Sequence, residues 1–339
     1  MNIVFRVNAS SHVGSGHFYR CIQIAYSLNN KDKVFFICED LNKKLKNILK
    51  KNRIKLFILK KKENVDFEKS DYESTKNIIK KIKGKINLMV VDSYFLGVKW
   101  EKKIRSSVDK ILVIDDLNRK HDCDFYLNQN LSSSRTLDGK LRKNTLKFLG
   151  LKYCIIKFKA EEKKRIVKKP HQIKKILIFM GGSDKSNLTY KILKILNKKI
   201  FLKFKLKIVV GVDNKNYKLI KEFSKKRKDT KIYYNQKSLK NHILDSDIAI
   251  SSGGTFIWEC LFYGLPALVL NQSKNQVDNS KALYKKKAIK LYINEINDLK
   301  KITKFLEKHL MKNNFVVPAK IFNLLDSKGI SRIIKRIRG

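Results

Sequence analysis

Long apolar runs are missing from this sequence of 339 residues. No stretch approaches the roughly 18 consecutive apolar residues that a membrane-spanning helix requires, so we expect no stable membrane insertion. The first residues do not combine a basic segment with a following apolar one, so no signal peptide is predicted. The sequence therefore favours a cytoplasmic protein.

Cysteine is scarce and widely spaced. The five cysteines include no C-x-x-C pair; they are Cys21, Cys38, Cys123, Cys154 and Cys260. An odd and scattered set argues against a disulfide framework and against a structural zinc site. We therefore expect reduced, buried thiols.

Arginine is rare although the chain is strongly basic. Of 77 basic side chains 12 are arginines and 65 are lysines, and the net charge is +47. Nucleic-acid surfaces usually carry substantial arginine, because its planar fork grips phosphates and guanine edges. The lysines lie in short runs along the whole chain, which favours solvated helix faces over a nucleic-acid partner. A cationic surface still attracts anionic small molecules such as nucleotides.

Short apolar runs alternate with helical patterns along the chain. Because they lack polar alternation, they indicate strands covered on both faces, and hence parallel sheets. In the first half they are residues 3–7, 34–37, 56–59, 88–91, 111–114 and 125–127, with an extended stretch at 148–156. In the second half they are residues 176–179, 206–210, 232–234, 247–251 and 267–270.

A polar and charged stretch with one proline, residues 158–172, divides the chain. Strand and helix patterns alternate before it and restart after it. This arrangement predicts an α/β protein with two Rossmann-like domains, residues 1–157 and 173–339, whose parallel sheets face a central cleft. The second domain ends in residues of helical pattern.

Three loops at predicted carboxyl ends of strands combine glycines with polar residues, and such strand ends bind ligands in open α/β sheets. The first loop contains Gly14 and Gly16, which let backbone N–H groups approach a ligand, and then His17 at a helix start. There the helix dipole favours the neutral imidazole, which suits a general base. The spacing alone predicts a surface or packing histidine equally well.

The second loop, residues 180–187, contains Gly182 and Asn187. One interpretation is a tight turn in which Ser186 or Asn187 caps the next helix. The other is backbone contact with a substrate, to which Asn187 adds a hydrogen bond. For Ser186 the capping role is the better interpretation.

The third loop is the most specific of the three. Ser252, Gly253, Gly254 and Thr255 lead from a strand into a helix, which predicts a pyrophosphate cradle. Glu259 lies further along that helix, where it is either a solvated residue or a clamp for vicinal sugar hydroxyls. Its apolar neighbours favour the clamp, since a carboxylate among them needs a partner.

These segments resemble a known group of proteins. The pattern S-S-G-G-T, E-x(4)-G-x-P and N-Q over residues 251–276 is similar to the donor-nucleotide half of GT-B glycosyltransferases. The segment 5–21, F-R-V-N-A-S-S-x-V-G-S-G-H-x-x-R-C, resembles the UDP-2,4-diacetamido-2,4,6-trideoxy-β-L-altropyranose hydrolase family of pseudaminic acid biosynthesis. Further matches are V-D-x-Y at 91–94 and I-D-D-L at 114–117.

The resemblance implies a monomeric hydrolase that cleaves a UDP-sugar with inversion and releases UDP and the free sugar, without metal or cofactor. It implies His17 as the catalytic residue. The substrate contacts that it implies are Arg6, Asn8, Gly14, Gly16, Tyr94, Gly182 and Asn187. The UDP contacts that it implies are Ser252, Gly253, Gly254, Thr255, Glu259 through the ribose, and Gln276. The alternative is a GT-B transferase that moves a UDP-linked amino sugar to an acceptor.

The sequence departs from the family pattern at three positions. Asn8 stands where the family usually has aspartate, Ser93 replaces the histidine of a D-H-Y motif, and Lys157 replaces an arginine. If the family aspartate orients His17, Asn8 would supply a hydrogen bond without charge, and the base would be weaker.

Overall fold

The structure is a computed structural model. It describes residues 1–8, 16–59, 66–131, 137, 139–156, 172–294, 296–311 and 316–339. Gly14, Lys157 and residues 158–171 of the expected linker lie outside the described residues. The chain divides into two compact units, Met1–Phe158 together with Ser327–Gly339, and Lys159–Asp326.

Within the described residues the strands form two sheets, each parallel throughout. The first unit has β1 (Asn2–Val7), β2 (Lys33–Cys38), β3 (Lys55–Ile58), β4 (Leu88–Asp92), β5 (Lys110–Ile114), β6 (Phe125–Asn128) and β7 (Leu146–Leu149). The second has β8 (Lys175–Phe179), β9 (Lys205–Val210), β10 (Thr230–Tyr234), β11 (Ile248–Ser252), β12 (Ala267–Leu270) and β13 (Leu291–Ile293).

Helices connect these strands and follow the last of them. They are α1 (Gly16–Tyr26), α2 (Lys43–Lys51), α3 (Phe67–Lys80), α4 (Val98–Ile104), α5 (Leu188–Leu196), α6 (Tyr217–Ser224), α7 (Lys240–Leu244), α8 (Phe256–Phe262), α9 (Lys274–Lys285), α10 (Leu299–Leu310), α11 (Ala319–Leu324) and α12 (Gly329–Arg338).

The first sheet is covered on both faces. Along β1, Phe5 and Val7 point into a core with α1, whereas Val4 points into the opposite core, which contains Trp100 of α4. Such burial on both faces explains why the strands read as continuous apolar runs. The α/β class and the two Rossmann-like parallel sheets expected from the sequence are therefore confirmed.

Both sheets have the Rossmann strand order. The first runs β3-β2-β1-β4-β5-β6-β7 and the second β10-β9-β8-β11-β12-β13. The order therefore reverses between β1 and β4 in one unit and between β8 and β11 in the other. Open α/β sheets bind ligands at the carboxyl ends of the strands that flank this reversal.

Three expectations differ from the structure. The extended stretch at 148–156 is only partly a strand, because β7 ends at Leu149 and a 3₁₀ turn follows at Leu151–Tyr153. The short edge strand β13 was not predicted, since three residues give too brief a pattern. The expected second domain, 173–339, extends too far at its end.

The last helix, α12, belongs to the first unit. Ile330 and Ile333 of α12 join the core on the α1 face of the first sheet. Gly329 lies so close to the backbone of Cys154 that a Cβ there would stand 2.3 Å from the Cys154 carbonyl oxygen. The chain returns to the first sheet through this contact, which periodicity along one helix cannot reveal.

All five cysteines are buried, as predicted, and all five are free thiols in the structure. Among the described residues, no helix is both long and apolar enough to cross a membrane.

Candidate active site

The first group of site residues lies where β1 and β4 end. Val7 is the register partner of Asp92, and the backbone N–H of Asn8 donates to the carbonyl oxygen of Asp92 at 3.1 Å. Helix α1, which follows β1, begins at Gly16. The start of α1 and the end of β4 therefore meet at the reversal of strand order in the first sheet.

His17 contacts a carboxylate that the sequence did not assign to it. Its side chain is almost fully buried, and its Nδ1 pairs with Oδ1 of Asp92. No residue that the structure describes forms a hydrogen bond with Nε2 of His17. A carboxylate at Nδ1 holds a proton on that nitrogen and leaves Nε2 as the acceptor, which is the arrangement of an oriented base.

Arg20 fixes the carboxylate of Asp92. Its Nε donates to Oδ2 at 2.5 Å and its Nη2 donates to Oδ1 at 2.6 Å. Burial alone would raise the pKa of Asp92, but Arg20 and His17 together hold that pKa well below its usual range. Asp92 is therefore ionised, as an acceptor for the imidazole N–H must be.

Tyr94 stands beside the imidazole. Its ring lies edge-on to the ring of His17, with 4.5 Å between centroids and 84° between planes. Its hydroxyl donates to Oδ2 of Asp116 at 3.3 Å. The tyrosine expected near a substrate is thus part of the surroundings of His17.

Asn8 forms no hydrogen bond with His17. It therefore does not take the orienting role that was considered for an aspartate at this position. The Asn8 side chain is 3% exposed, and its Oδ1 has no hydrogen-bond partner among the described residues. The carboxylate on His17 comes from β4, so the substitution at position 8 leaves the charge at Nδ1 in place. A buried carbonyl oxygen without a donor is costly, so the site favours a ligand N–H or O–H there.

The structure does not support the expected contact between Arg6 and a ligand. The Arg6 side chain is fully buried. Its guanidinium pairs with Asp71, donates to Glu39 Oε1 at 2.9 Å and donates to the Val7 carbonyl oxygen at 3.0 Å. Arg6 therefore anchors the inner side of β1 to α3, which also explains its place in an otherwise apolar strand.

Gly16 is the first residue of α1. A Cβ built on Gly16 would meet none of the described atoms within 4 Å. The crowding that would require glycine there is therefore absent from the described part of the chain, and its predicted ligand contact stays a prediction. Gly14 lies outside the described residues.

In the second unit, the loop after β8 is capped by a residue that the sequence did not single out. Oδ1 and Oδ2 of Asp184 accept from the backbone N–H groups of Leu188 and Thr189, each at 2.9 Å. Asn187 occupies the N-cap position of α5, but the side chain that caps this helix is that of Asp184. Burial raises the pKa of Asp184, although these hydrogen bonds oppose the shift.

Because Asp184 caps α5, the side chain of Asn187 can bind a ligand. Its backbone is left-handed, with φ 52°, and its side chain forms no capping bond. Its Oδ1 is buried and has no hydrogen-bond partner among the described residues. An N–H or O–H group of a bound ligand would satisfy this buried acceptor.

The loop at Gly182 packs closely against the end of β9. A Cβ on Gly211 would stand 2.2 Å from the Gly182 carbonyl oxygen, so the two backbones touch. Gln272, which follows β12, donates from Nε2 to the Met180 carbonyl oxygen at 2.9 Å. The position of Gly182 is thus set by its neighbours on both sides.

The Ser–Gly loop after β11 is held by Gln276. Oε1 of Gln276 accepts from Gly253 N at 3.2 Å and from Gln272 N at 2.9 Å. Gly253 is required there, because a Cβ would stand 2.4 Å from Oδ1 of Asn271. Gln276 therefore shapes the predicted UDP loop from within, through its side-chain oxygen.

Ser252 connects the second and third loops of the sequence. Its Oγ lies 4.0 Å from the position of a Cβ on Gly181 and 3.6 Å from that of a Cβ on Gly254. The second unit therefore brings the two glycine loops together at its own reversal of strand order.

The start of α8 presents backbone donors. The N–H groups of Gly254, Thr255 and Phe256 donate to none of the residues that the structure describes. Along α8, all of which is described, every residue except Glu259 is buried. Free N–H groups at a helix start favour anions, and Glu259 is the residue of this helix that can reach solvent or a ligand.

Four side chains of these two groups were not assigned a role from the sequence: Arg20, Asp92, Asp116 and Asp184. Asp92 is the last residue of β4, Asp116 and Asp184 follow the ends of β5 and β8, and Arg20 lies in the second turn of α1. Their spacing along the chain gives no sign of which of them meet. Among the described residues, no cluster of histidine, cysteine, aspartate or glutamate could hold a metal ion.

Comparisons with known proteins agree with this architecture. Residues 176–336 match the glycosyltransferase family 28 C-terminal domain. Among solved structures, MurG of Acinetobacter baumannii superposes with a TM-score of 0.62 at 14% identity, over 100% of this chain and 99% of that chain. This chain has a GT-B fold. Its C-terminal half is similar to glycosyltransferase family 28.

Two relatives are similar to this GT-B protein over most of its length. An uncharacterized protein of Methanocaldococcus jannaschii is 29% identical, over 99% of this chain and 70% of the relative. The UDP-2,4-diacetamido-2,4,6-trideoxy-β-L-altropyranose hydrolase of Campylobacter jejuni is 27% identical, over 84% of this chain and 97% of the relative.

Proposed function

We propose that this GT-B protein is an enzyme of nucleotide-sugar metabolism that hydrolyses a UDP-linked diacetamido-trideoxy sugar. Water attacks the anomeric carbon with inversion, and UDP and the free sugar are released, as a step of pseudaminic acid biosynthesis. The similarity to the Campylobacter hydrolase supports this substrate class. The observation that carries the proposal is the pairing of His17 Nδ1 with Asp92, which leaves Nε2 as a base.

In this reaction His17 takes a proton from the attacking water. As the proton moves to Nε2, the water oxygen forms a bond to the anomeric carbon, and the bond from that carbon to the UDP oxygen breaks. The electron pair of the broken bond leaves with UDP, a stable anion. Asp92 stabilises the imidazolium that forms, and a positioned base of this kind typically contributes about 10² to 10⁴ in rate.

The second unit supplies the nucleotide contacts. The N–H groups of Gly254 and Thr255 hold the diphosphate, in the loop shaped by Gln276, and Glu259 accepts from the ribose hydroxyls. Asn187 accepts a hydrogen bond from the sugar, which satisfies its buried Oδ1. Each of these groups binds the substrate without taking part in proton transfer.

The second candidate is a transferase that moves a UDP-linked amino sugar to an acceptor. The match to the glycosyltransferase family 28 C-terminal domain favours it. The same pair of His17 and Asp92 would then remove a proton from an acceptor hydroxyl, and not from water. The two candidates differ in whether the donor is consumed when no acceptor is present.

The test is to incubate the purified protein with a panel of UDP-sugars in the absence of any acceptor and to follow UDP by ion-exchange chromatography. The hydrolase predicts catalytic release of UDP from a diacetamido-trideoxy sugar, and no release by His17→Phe. A donor that stays intact over many hours with every sugar, but is consumed when an acceptor is added, would establish the transferase.

A further inference from the structure

Two adjacent carboxylates at the end of β5 bind different arginines. Asp116 Oδ2 accepts from Arg20 Nη1 at 2.6 Å, whereas Asp115 Oδ1 accepts from Arg119 Nε at 2.8 Å. Asp115 is fully buried, and Asp116 is partly buried. One dipeptide therefore anchors two guanidinium groups that lie far apart in the sequence.

Arg20 links Asp116 to Asp92 and so to His17, and we call this set of contacts the first branch. Arg20 lies one turn after His17 on α1, so both side chains leave the same face of the helix. Both oxygens of Asp92 accept from Arg20, at 2.5 and 2.6 Å, and the oxygen that accepts from Nη2 is the one that contacts His17. A two-pronged pair fixes the plane of a carboxylate, and here it fixes which oxygen faces the imidazole.

Arg119 links Asp115 to the turn after β4, and we call this set of contacts the second branch. Its Nη2 donates to the Ser93 carbonyl oxygen at 2.8 Å, and its Nη1 donates to those of Tyr94 and Leu96 at 3.0 and 3.1 Å. One guanidinium thus holds three carbonyl groups of a single turn. Tyr94, within that turn, returns to the first branch through its hydroxyl bond to Asp116.

The carboxylate that begins the second branch is itself rigidly held. Asp115 Oδ2 accepts from the backbone N–H groups of Leu117 and Arg119, at 3.2 and 3.0 Å. The Tyr126 hydroxyl donates to the same oxygen at 3.3 Å, and His121 Nε2 lies 3.6 Å from it. Burial opposes ionisation, yet His121 and Arg119 hold the pKa of Asp115 well below its usual range.

Arginine beside a strand end is ordinarily a phosphate contact, because its fork matches phosphate oxygens. Here both guanidinium groups are already hydrogen-bonded within the protein. The Arg20 side chain is 5% exposed, and its Nε, Nη1 and Nη2 all donate to carboxylates of the protein. The Arg119 side chain is 26% exposed, and its three nitrogens donate to one carboxylate and three carbonyl groups.

We propose that Arg20 and Arg119 are positioning residues for the base, set by the dipeptide 115–116, and that neither arginine binds the diphosphate. Arg20 fixes the carboxylate that orients His17. Arg119 fixes the turn that holds Tyr94 beside the imidazole. This inference rests on the proposed function, since it assigns these residues a role in the same reaction.

The first branch is tested with Arg20→Lys and Asp116→Asn. Histidine ¹⁵N NMR reports which ring nitrogen of His17 carries the proton, and the spectrum of His17→Phe identifies the signal. Wild-type protein should show the proton on Nδ1, and both variants should shift toward a mixture with the Nε2-protonated form. We expect kcat to fall about 10- to 100-fold, while the Kd for UDP stays within about 2-fold.

The second branch is tested with Arg119→Lys against the matched control Arg105→Lys. Arg105 is also 26% exposed and binds two carboxylates, Asp122 and Asp124. It precedes β5, however, and so lies at the amino end of that strand, whereas the dipeptide 115–116 follows the carboxyl end. Arg119→Lys should lower kcat about 10- to 100-fold, with the Nδ1 proton of His17 and the Kd for UDP unchanged. Arg105→Lys should match wild type in all three measurements.

Two results would overturn the inference. A rise in the Kd for UDP that parallels the loss of kcat would make either arginine an anion ligand. Variants that lose thermal stability but keep kcat and the His17 signal would make the ion pairs purely structural. If Arg20→Lys does not fold, Asp116→Asn decides the first branch. The NMR and UDP titrations need no turnover, so they still test the inference if no UDP-sugar is hydrolysed.

Discussion

Nδ1 of His17 pairs with Oδ1 of Asp92, although the two residues lie 75 positions apart in the chain. The contact follows from the topology of the first sheet. His17 begins the helix after β1, and Asp92 is the last residue of β4, the strand hydrogen-bonded to β1. The contact orients the imidazole with Nδ1 on the carboxylate, and the proposed reaction depends on this orientation.

Asp92→Asn should reduce kcat by about 10² to 10⁴ while leaving the Kd for UDP close to wild type. Asparagine can donate to Nδ1, and this stabilises the tautomer in which Nε2 carries the proton and cannot act as a base. Steady-state kinetics together with calorimetric titration of UDP measure both effects. A variant that keeps kcat within about 3-fold of wild type would remove Asp92 from the mechanism.

Asn8→Asp should change kcat by less than about 3-fold, because Asp92 already occupies Nδ1 of His17. The substitution places a second carboxylate in a buried site next to the end of β4, so unfolding free energy should fall by about 1 to 3 kcal/mol at pH 7. Urea unfolding and kcat are measured on the same preparation. If kcat instead increased about tenfold, the family aspartate would have a role that Asp92 does not cover.

Glu259→Ala should weaken UDP binding by about 1.5 to 3 kcal/mol, which is roughly 10- to 150-fold in Kd. The sharper comparison uses UDP and 2′-deoxy-UDP. Wild type should prefer UDP, whereas the variant should bind both with similar affinity, since the carboxylate no longer accepts from the ribose. Equal preference for UDP in both proteins would discard the ribose contact.

His121 should make folding stability depend on pH. Its buried imidazole lies 2.6 Å from Oε1 of Glu101 and 3.6 Å from Oδ2 of Asp115. Burial lowers its pKa, but these two carboxylates outweigh burial and raise the pKa of His121 to about 9, from 6.5. The stabilisation is therefore complete below pH 6.5 and is lost as the pH rises through 9.

The size of this effect is about 3 kcal/mol, from the difference between the folded and unfolded pKa values. Unfolding free energies of wild type and His121→Gln are compared in urea at pH 6 and pH 10. The gap between the two proteins should shrink by about that amount at the higher pH. A gap independent of pH would contradict a protonated imidazole between these carboxylates.

The sequence was sufficient for the two parallel sheets, because strands buried on both faces leave continuous apolar runs. It also located the loops of the site, since glycines and polar residues follow those runs. It could not show that Asp92 pairs with His17, or that Arg6 pairs with Asp71, because such pairs depend on strand order and register. The same holds for α12, whose amphipathic pattern fits either sheet.

Hydrolysis in ¹⁸O-labelled water tests the central claim most directly. Attack of water at the anomeric carbon predicts UDP without label and initial sugar product with one labelled oxygen, in a reaction that His17→Phe does not perform. Label found in UDP would mean that water attacks phosphorus, and stable donor in the presence of active enzyme would mean that water is not the acceptor. Either result would contradict the proposed reaction.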